Sequence, residues 1–430
     1  MDDIYLIEIR LARTKWRIRE TISYIGRLFS LDGYLERHPH VTLFGPLTLK
    51  EGISSRQLID AVGVVAARYD PVPFMIGGWE LRQGSHGSVI AFSVSPSDAL
   101  KSLTTLLADT LSPLVNSDNI WDANPESKWY HVTVANRMDP DRASQVFAAL
   151  TGQQQENNSP GILHGLMHLL GKLIGRKKVN PVQPVTLDDT GLRITIMQEE
   201  TILGEYDLVE KRWINGDYRH DNKSWQTTLG LFRQRSGFEL TDPLPSHPDD
   251  IFLIADLHLG HANIIRYCSR PFLVSDASEM DHVLLKNWNY TISPANRVYY
   301  LGDLRYGNSA LPAPEYRKKL KGRITFIEGN HDTCELGAVH SATLDYCGLC
   351  FLLVHDPAEI PEAFDGWVIH GHHHNNDLQC YPFIDFLHRR INVSAEVIGY
   401  VPVNLSDICH LIHDRVSRGD LTPILLKYPY

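Results

Sequence analysis

Hydrophobic and polar positions change their period along this chain. From Ile4 to Leu11 they alternate, which predicts a strand with one buried face. Ser54 to Tyr69 and Ala99 to Val115 repeat apolar residues every three or four positions, so helices are predicted there. Val185 to Leu208 reads as two strands around Glu199-Glu-Thr201. From Ile251 the pattern is different. Ile251-Phe-Leu-Ile-Ala255, Val298-Tyr-Tyr-Leu301, Ile324-Thr-Phe-Ile327, Phe351-Leu-Leu-Val354 and Trp367-Val-Ile369 are short unbroken apolar runs. Strands buried on both faces read this way. Each run leads into Asp, Asn or His. Open α/β sheets bind ligands outside the carboxyl ends of their strands, so polar chemistry is expected at that edge.

The length of 430 residues exceeds what one core usually serves, and two domains are expected. Three prolines crowd the polar stretch Asp242 to Asp250, the composition of a stiff connector. The expected division is a domain over 1–210, an extension and linker over 211–248, and a domain over 249–430. Gly152 to Pro160 reads as an exposed loop. No apolar run approaches a membrane span, and Met1-Asp2-Asp3 lacks the basic start of a secretory signal. A cytoplasmic chain with no membrane partner is expected, and no protein partner can be inferred. The net charge of −10 argues against a broad nucleic-acid surface but leaves room for a local basic groove. Lys172, Arg176, Lys177 and Lys178, within 161–180, form either a basic lip or a solvated helix face. All cysteines lie from Cys268 onward and read as free thiols. Cys347-Gly-Leu-Cys350 sits in an apolar run with no second pair, so buried structural cysteines are expected.

Two tripeptides in the first half match, His40-Val41-Thr42 and His131-Val132-Thr133. In a strand, Val41 and Leu43 point one way and His40 and Thr42 the other; Val132 and Val134 oppose His131 and Thr133 in the same manner. Attack on a phosphodiester wants this pair twice. One imidazole takes a proton from water and the other gives one to the leaving oxygen. The hydroxyls hold the non-bridging oxygens. A third His-x-Thr, His331-Asp-Thr333, is assigned no such role. The first half resembles the two-histidine phosphoesterase superfamily, which contains 2′-5′ RNA ligase-like proteins and 2′,3′-cyclic phosphodiesterases. The resemblance implies two α+β lobes around a cleft over roughly residues 1–210. It makes His40 and His131 the acid/base pair and Thr42 and Thr133 the phosphate donors, with no cofactor.

The second half carries Asp256-Leu-His258, Gly302-Asp303, Gly329-Asn-His-Asp332, His355 and Gly371-His-His-His374 in order. These are carboxylate, amide and imidazole donors without thiolate, suited to Mn²⁺, Fe, Zn²⁺ or Ni²⁺. The order Asp-x-His, Gly-Asp, Gly-Asn-His-(Asp/Glu), His, Gly-His-x-His resembles the calcineurin-like metallophosphoesterase superfamily. That resemblance implies an α/β domain built as a β-sandwich flanked by helices, holding two divalent cations, Mn²⁺ foremost. Asp256, His258 and His374 would hold one. Asn330, His355 and His372 would hold the other, and Asp303 would bridge them. His331 would stand near the leaving group with Asp332 orienting it. His370 and His373 match no ligand position.

Two phosphoesterase sites on one chain suggest consecutive steps. The expected function is healing of RNA 3′ ends: a 2′,3′-cyclic phosphate is opened, then the phosphomonoester is removed. The alternatives are a hydrolase of small cyclic nucleotides or ADP-ribose cyclic phosphate, and an RNA-binding module with one inactive site.

Overall fold

The computed structural model describes residues 3–12, 14–31, 38–84, 87–152, 186–214, 216, 222–274, 277–332 and 336–426. The basic segment 161–180 lies outside them. The chain divides into two units, Met1–Trp213 and Ile214–Tyr430. Both mix helices with several sheets. Among the described residues no helix is long and apolar enough to cross a membrane.

The first unit runs β1 (Tyr5–Arg10), α1 (Lys15–Phe29), β2 (His40–Leu49), α2 (Ser55–Ala66), β3 (Val72–Gly84), β4 (Gly87–Pro96), α3 (Asp98–Leu111), β5 (Val115–Asn116), α4 (Ile120–Ala123), β6 (His131–Met138), α5 (Pro140–Thr151), β7 (Leu187–Gly191), β8 (Arg193–Gln198), β9 (Thr201–Asp207) and β10 (Arg212–Trp213). One sheet has the order β10-β9-β8-β1-β2-β5, the other β6-β4-β3-β7. Helix α2 starts where Ser54 and Gln57 form a capping box, and α5 starts at Asp139 with Pro140 in its first turn. The stretch expected as two strands after Val185 is three. β7 pairs with β3, while β8, beyond the single residue Leu192, pairs with β1 in the other sheet. A continuous apolar pattern carries no mark of that crossing. One apolar core spans both sheets and the helices on them.

The second unit runs α6 (Asn222–Arg235), β11 (Ile251–Ile254), α7 (Ala262–Tyr267), α8 (Ala277–Thr291), β12 (Arg297–Leu301), α9 (Ala313–Arg317), β13 (Arg323–Ile327), β14 (Ala342–Tyr346), β15 (Leu349–Leu353), β16 (Trp367–His370), β17 (Ile384–Asp385), β18 (Arg390–Asn392), β19 (Val403–Asn404) and α10 (Leu405–Ser417). Its sheets are β13-β12-β11-β19 and β14-β15-β16-β18-β17. All five apolar runs named above are strands here. β11, β12 and β13 are parallel, as are β15, β16 and β18.

The division falls before α6, not in the proline-rich stretch. Arg233 of α6 is buried and donates to Pro271 O at 3.0 Å and to Glu279 at 2.7 Å, which binds the helix to the second unit. Leu244 N donates to Tyr290 O at 2.8 Å and Ser246 Oγ meets Asn296 Oδ1 at 3.0 Å. The prolines therefore shape a strap on the second unit rather than a connector. Cys347 and Cys350 are exposed, not buried, because they flank the turn between β14 and β15; Cys268 and Cys409 are the buried thiols among the described cysteines.

Candidate functional site

β2 and β6 lie against each other in the first unit and present the two tripeptides. Val41, Leu43, Val132 and Val134 are buried, and His40, Thr42, His131 and Thr133 are partly exposed. Each buried aliphatic is worth ~1.5–3 kcal/mol. A one-residue slip would turn the polar set inward, so burial of the valines fixes which face the imidazoles take. The two rings are held alike. His40 Nδ1 donates to His38 O at 2.8 Å and His131 Nδ1 to Trp129 O at 3.0 Å, each a carbonyl two residues back. Both Nε2 atoms are thereby left as the reactive nitrogens. Glu8 Oε2 lies 3.5 Å from His40 Nδ1. His131 stacks on Trp129 at 3.7 Å and 15°, and Arg82 covers that indole at 4.5 Å. Burial pushes His131 down to about 4, and the charges of His40, Lys128 and Arg82 push the same way against the Trp129 carbonyl. Asp122 ties the strands together. It accepts from Gly45 N of β2 at 2.8 Å and pairs with Lys128, just before β6, at 3.7 Å.

In the second unit the expected donors gather past the strand ends. Asp256, His258 and His374 offer ligand atoms within 4.8 Å of one another, as do Asp256, Asp303 and His355. Asn330 Oδ1 lies 2.9 Å from His355 Nε2 and 3.0 Å from His372 Nδ1, and those nitrogens are 3.3 Å apart. Asp303 Oδ2 stands between the groups, 3.5 Å from both His258 Nε2 and His355 Nε2. Atoms bonded at ~2.1 Å to one ion sit ~3 Å apart, so these spacings suit shared cations. The fit has a second test. Asp256 Oδ1 and both ring nitrogens of His258 are buried with no hydrogen-bond partner. Buried polar atoms are rarely left so, and a cation would take the Asp256 oxygen and one ring nitrogen of His258. His355 Nδ1 donates to Leu301 O at 2.8 Å, which frees Nε2 as the donor toward the site.

The backbone is bent to make this cluster. Asp256, His258, Asp303, His372 and His374 have φ of 59°, 48°, 60°, 69° and 51°, the left-handed region. Such residues cost ~1–2 kcal/mol each and persist only where the surroundings fix them. Gly371 allows a close approach of its own. A Cβ there would lie 2.5 Å from Asp256 Oδ2 and 2.6 Å from Ala255 Cβ.

His331 is exposed, 5.8 Å from the His258 ring and 4.7 Å from Tyr306. Asp332 does not take the place expected for it. Its carboxylate accepts from Asp303 N at 2.7 Å, Gly329 N at 3.0 Å and Leu304 N at 3.1 Å. It clasps two loops of the cluster through three backbone amides instead of orienting the His331 ring. His370 and His373 pack on Tyr381, His373 stacked at 3.5 Å.

Residues 10–161 match the sequence model of the 2′-5′ RNA ligase superfamily, a span holding both tripeptides. The uncharacterized protein MJ1445 of Methanocaldococcus jannaschii is 48% identical over 164 residues, 38% of this chain and 90% of that protein. The chain belongs to one family with that protein, and its N-terminal unit to the 2′-5′ RNA ligase superfamily. A solved structure, the protein of unknown function AQ665 from Aquifex aeolicus, is similar at 23% identity and a TM-score of 0.30, over 38% of this chain and all of that one.

Within the 2′-5′ RNA ligase domain, Asp122, Trp129 and Glu8 support the tripeptides without any signature in the sequence. In the second unit the same is true of Glu396, which Arg270 backs. Glu396 accepts from His374 Nδ1 at 3.1 Å. Arg270, fully buried, donates to Glu396 at 2.7 Å and to the carbonyls of Leu257 and Asp256 at 2.8 and 2.7 Å. Burial alone would raise the Glu396 carboxyl, but Arg270 and then His374 overcome it and hold it well below the usual range. Supports of this kind tune a ligand by ~10–100-fold in metal affinity. If the cluster holds a divalent cation, Glu396→Gln is expected to weaken its binding by that factor in calorimetric titration of the full chain with Mn²⁺. Unchanged Mn²⁺ affinity would show that His374 needs no such partner.

Proposed function

We propose that this chain is a two-site phosphoesterase for RNA 3′ ends. The N-terminal unit opens a 2′,3′-cyclic phosphate. The C-terminal unit, as a calcineurin-like metallophosphoesterase, removes the phosphomonoester that results. The observation that carries the reading is the pairing of two unlike sites on one chain. One is built of imidazoles and hydroxyls, the other of carboxylates and imidazoles with orphaned donor atoms.

At the first site His131, neutral above about pH 4, takes the proton of the attacking water on Nε2. The water oxygen bonds to phosphorus, and one of the two ring P–O bonds breaks. His40, with the Glu8 carboxylate 3.5 Å away to balance its charge, gives a proton to the leaving oxygen. Thr42 and Thr133 donate to the non-bridging oxygens. A pKa of about 4 makes a weak base, and an anionic phosphate bound beside the ring raises it toward the useful range.

Two divalent cations, when bound at the second site, supply an acidified water and charge stabilisation for phosphoryl transfer. Asp256, His258 and His374 would hold one, Asn330, His355 and His372 the other, with Asp303 between. His331, at the exposed rim, would protonate the leaving alkoxide. Asp332 holds the two loops in register through the three amides.

The test is RNA ending in a labelled cyclic phosphate, incubated with Mn²⁺ or with chelator. With Mn²⁺ the expected product is a diol end. With chelator the reaction is expected to stop at the phosphomonoester, because imidazole acid/base work needs no metal. Loss of both steps under chelator would overturn the assignment of the first site.

A further inference from the structure

Away from both sites, the second unit carries a concentration of positive charge. Arg297 and Arg323 are register partners on the parallel strands β12 and β13, and Tyr299 and Thr325 follow on the same face. The opposite face, Val298 and Tyr300, is buried in the core. Arg317, which ends α9, turns toward this face. Together they line a groove of about 350 Å³.

Two of these guanidiniums are anchored without being neutralised. Arg317 donates to Leu320 O at 2.9 Å and Gly322 O at 3.2 Å, and Arg323 donates to Ala295 O at 3.0 Å. Their partners are neutral carbonyls, and among the described residues no carboxylate pairs with Arg297, Arg317 or Arg323. Each guanidinium has five donors, so N–H groups remain for an incoming anion. Lys319 and Lys321 flank the same segment, Lys321 Nζ likewise bound to a carbonyl, Asn289 O, at 2.8 Å. In a chain of net charge −10 such a patch is the local basic groove the charge balance leaves room for.

Resting on the reading above, we propose that this groove docks the sugar–phosphate backbone of single-stranded RNA, so that the C-terminal unit favours polynucleotide ends over mononucleotides. Arginine matches phosphate oxygens with paired N–H groups. The half-exposed Tyr299 ring beside Arg297 supplies the aromatic surface on which a base stacks, the combination that single-strand binders use. Arg297 opens β12 and Asp303 lies just past its other end, ~20 Å away at ~3.3 Å per strand residue. An RNA whose end sits among the metal donors must be several nucleotides long to reach the groove.

The clean variant is Arg297→Glu, because Arg297 is exposed and its side chain holds no other element in place. The probe is a fluorescein-labelled RNA of about 12 nucleotides with a plain 3′ hydroxyl, a substrate for neither site, read by anisotropy on the full chain. The variant is expected to bind it ~5–10-fold more weakly, with a salt slope shallower by ~0.7 for each phosphate that is no longer neutralised. For the same RNA with a 3′ phosphate, KM is expected to rise by a similar factor at unchanged kcat. Hydrolysis of p-nitrophenyl phosphate is expected to be unaffected. Equal RNA affinity in variant and parent would overturn the docking site. So would full displacement of RNA by polyglutamate of equal charge, which would mark an acidic-peptide surface. If the parent binds the hydroxyl-ended RNA, the variant does not, and neither acts on phosphate ends, the docking stands and the catalytic reading falls.

Discussion

Asp303→Ala is expected to abolish removal of the terminal phosphate, by ~10³-fold or more, while leaving cyclic-phosphate opening intact. The reason is the place of the Asp303 carboxylate. One oxygen is 3.5 Å from both His258 Nε2 and His355 Nε2, and the other accepts from His331 N at 2.9 Å. Losing it removes a donor from both halves of the cluster and loosens the loop that carries His331. Loss of one preorganised electrostatic group typically costs ~10²–10³-fold, and here the change strikes two cation positions together. RNA with a cyclic end should accumulate a phosphomonoester, visible as a stable labelled product on a gel. Asp303→Asn keeps the shape and the His331 contact but lowers the charge, and is expected to fall between the parent and the alanine variant. If Asp303→Ala stays folded and yields no phosphomonoester, the two-step order is wrong, and the second unit acts on the diester itself or on another substrate.

His131→Ala is expected to slow cyclic-phosphate opening by ~10²–10⁴-fold, the usual worth of one positioned proton transfer. Hydrolysis of a simple monoester by the second unit should not change. The pH behaviour gives a sharper check. In the parent, kcat/KM for a cyclic mononucleotide is expected to fall on the acid side near pH 4, where the free His131 gains its proton. The acid limb of kcat should sit higher, because bound phosphate favours the imidazolium. Stability follows the same group. Its folded pKa of about 4 lies below the unfolded value near 6.5, so the unfolded chain binds more protons between those values. The contribution is present above about pH 6.5 and is lost as pH falls through that window, by up to ~3 kcal/mol. Thermal unfolding should therefore show parent and His131→Ala diverging between neutral pH and about pH 4, with the parent losing ground. A difference that stays constant with pH would mean that His131 is not desolvated.

Much of this site is written locally. Strand alternation places His40 with Thr42 and His131 with Thr133, because successive side chains point to opposite faces and the valines between them claim the core. The five apolar runs are strands because continuous burial needs no partner pattern beyond their own residues, and the donors after them fall at the strand ends for the same reason. What the sequence by itself determined is thus the identity of the strands, the faces of the two tripeptides and the residue types that meet past β11 to β16. Which groups support them was decided only in three dimensions. Glu396 stands behind His374 from a distant segment, and a buried carboxylate reads from sequence like any surface one. Trp129 stacks on His131, and Asp122 joins Gly45 of β2 to Lys128 before β6, contacts that no motif records. Asp332 sits beside His331 in the chain, yet the loops of Asp303 and Gly329 bring it three amides and turn it from the imidazole. The boundary before α6 and the crossing from β7 to β8 likewise depend on which surfaces meet. A proline-rich composition shows that a stretch is stiff, and only the packing of Leu244 and Ser246 on the second unit shows what it is fastened to.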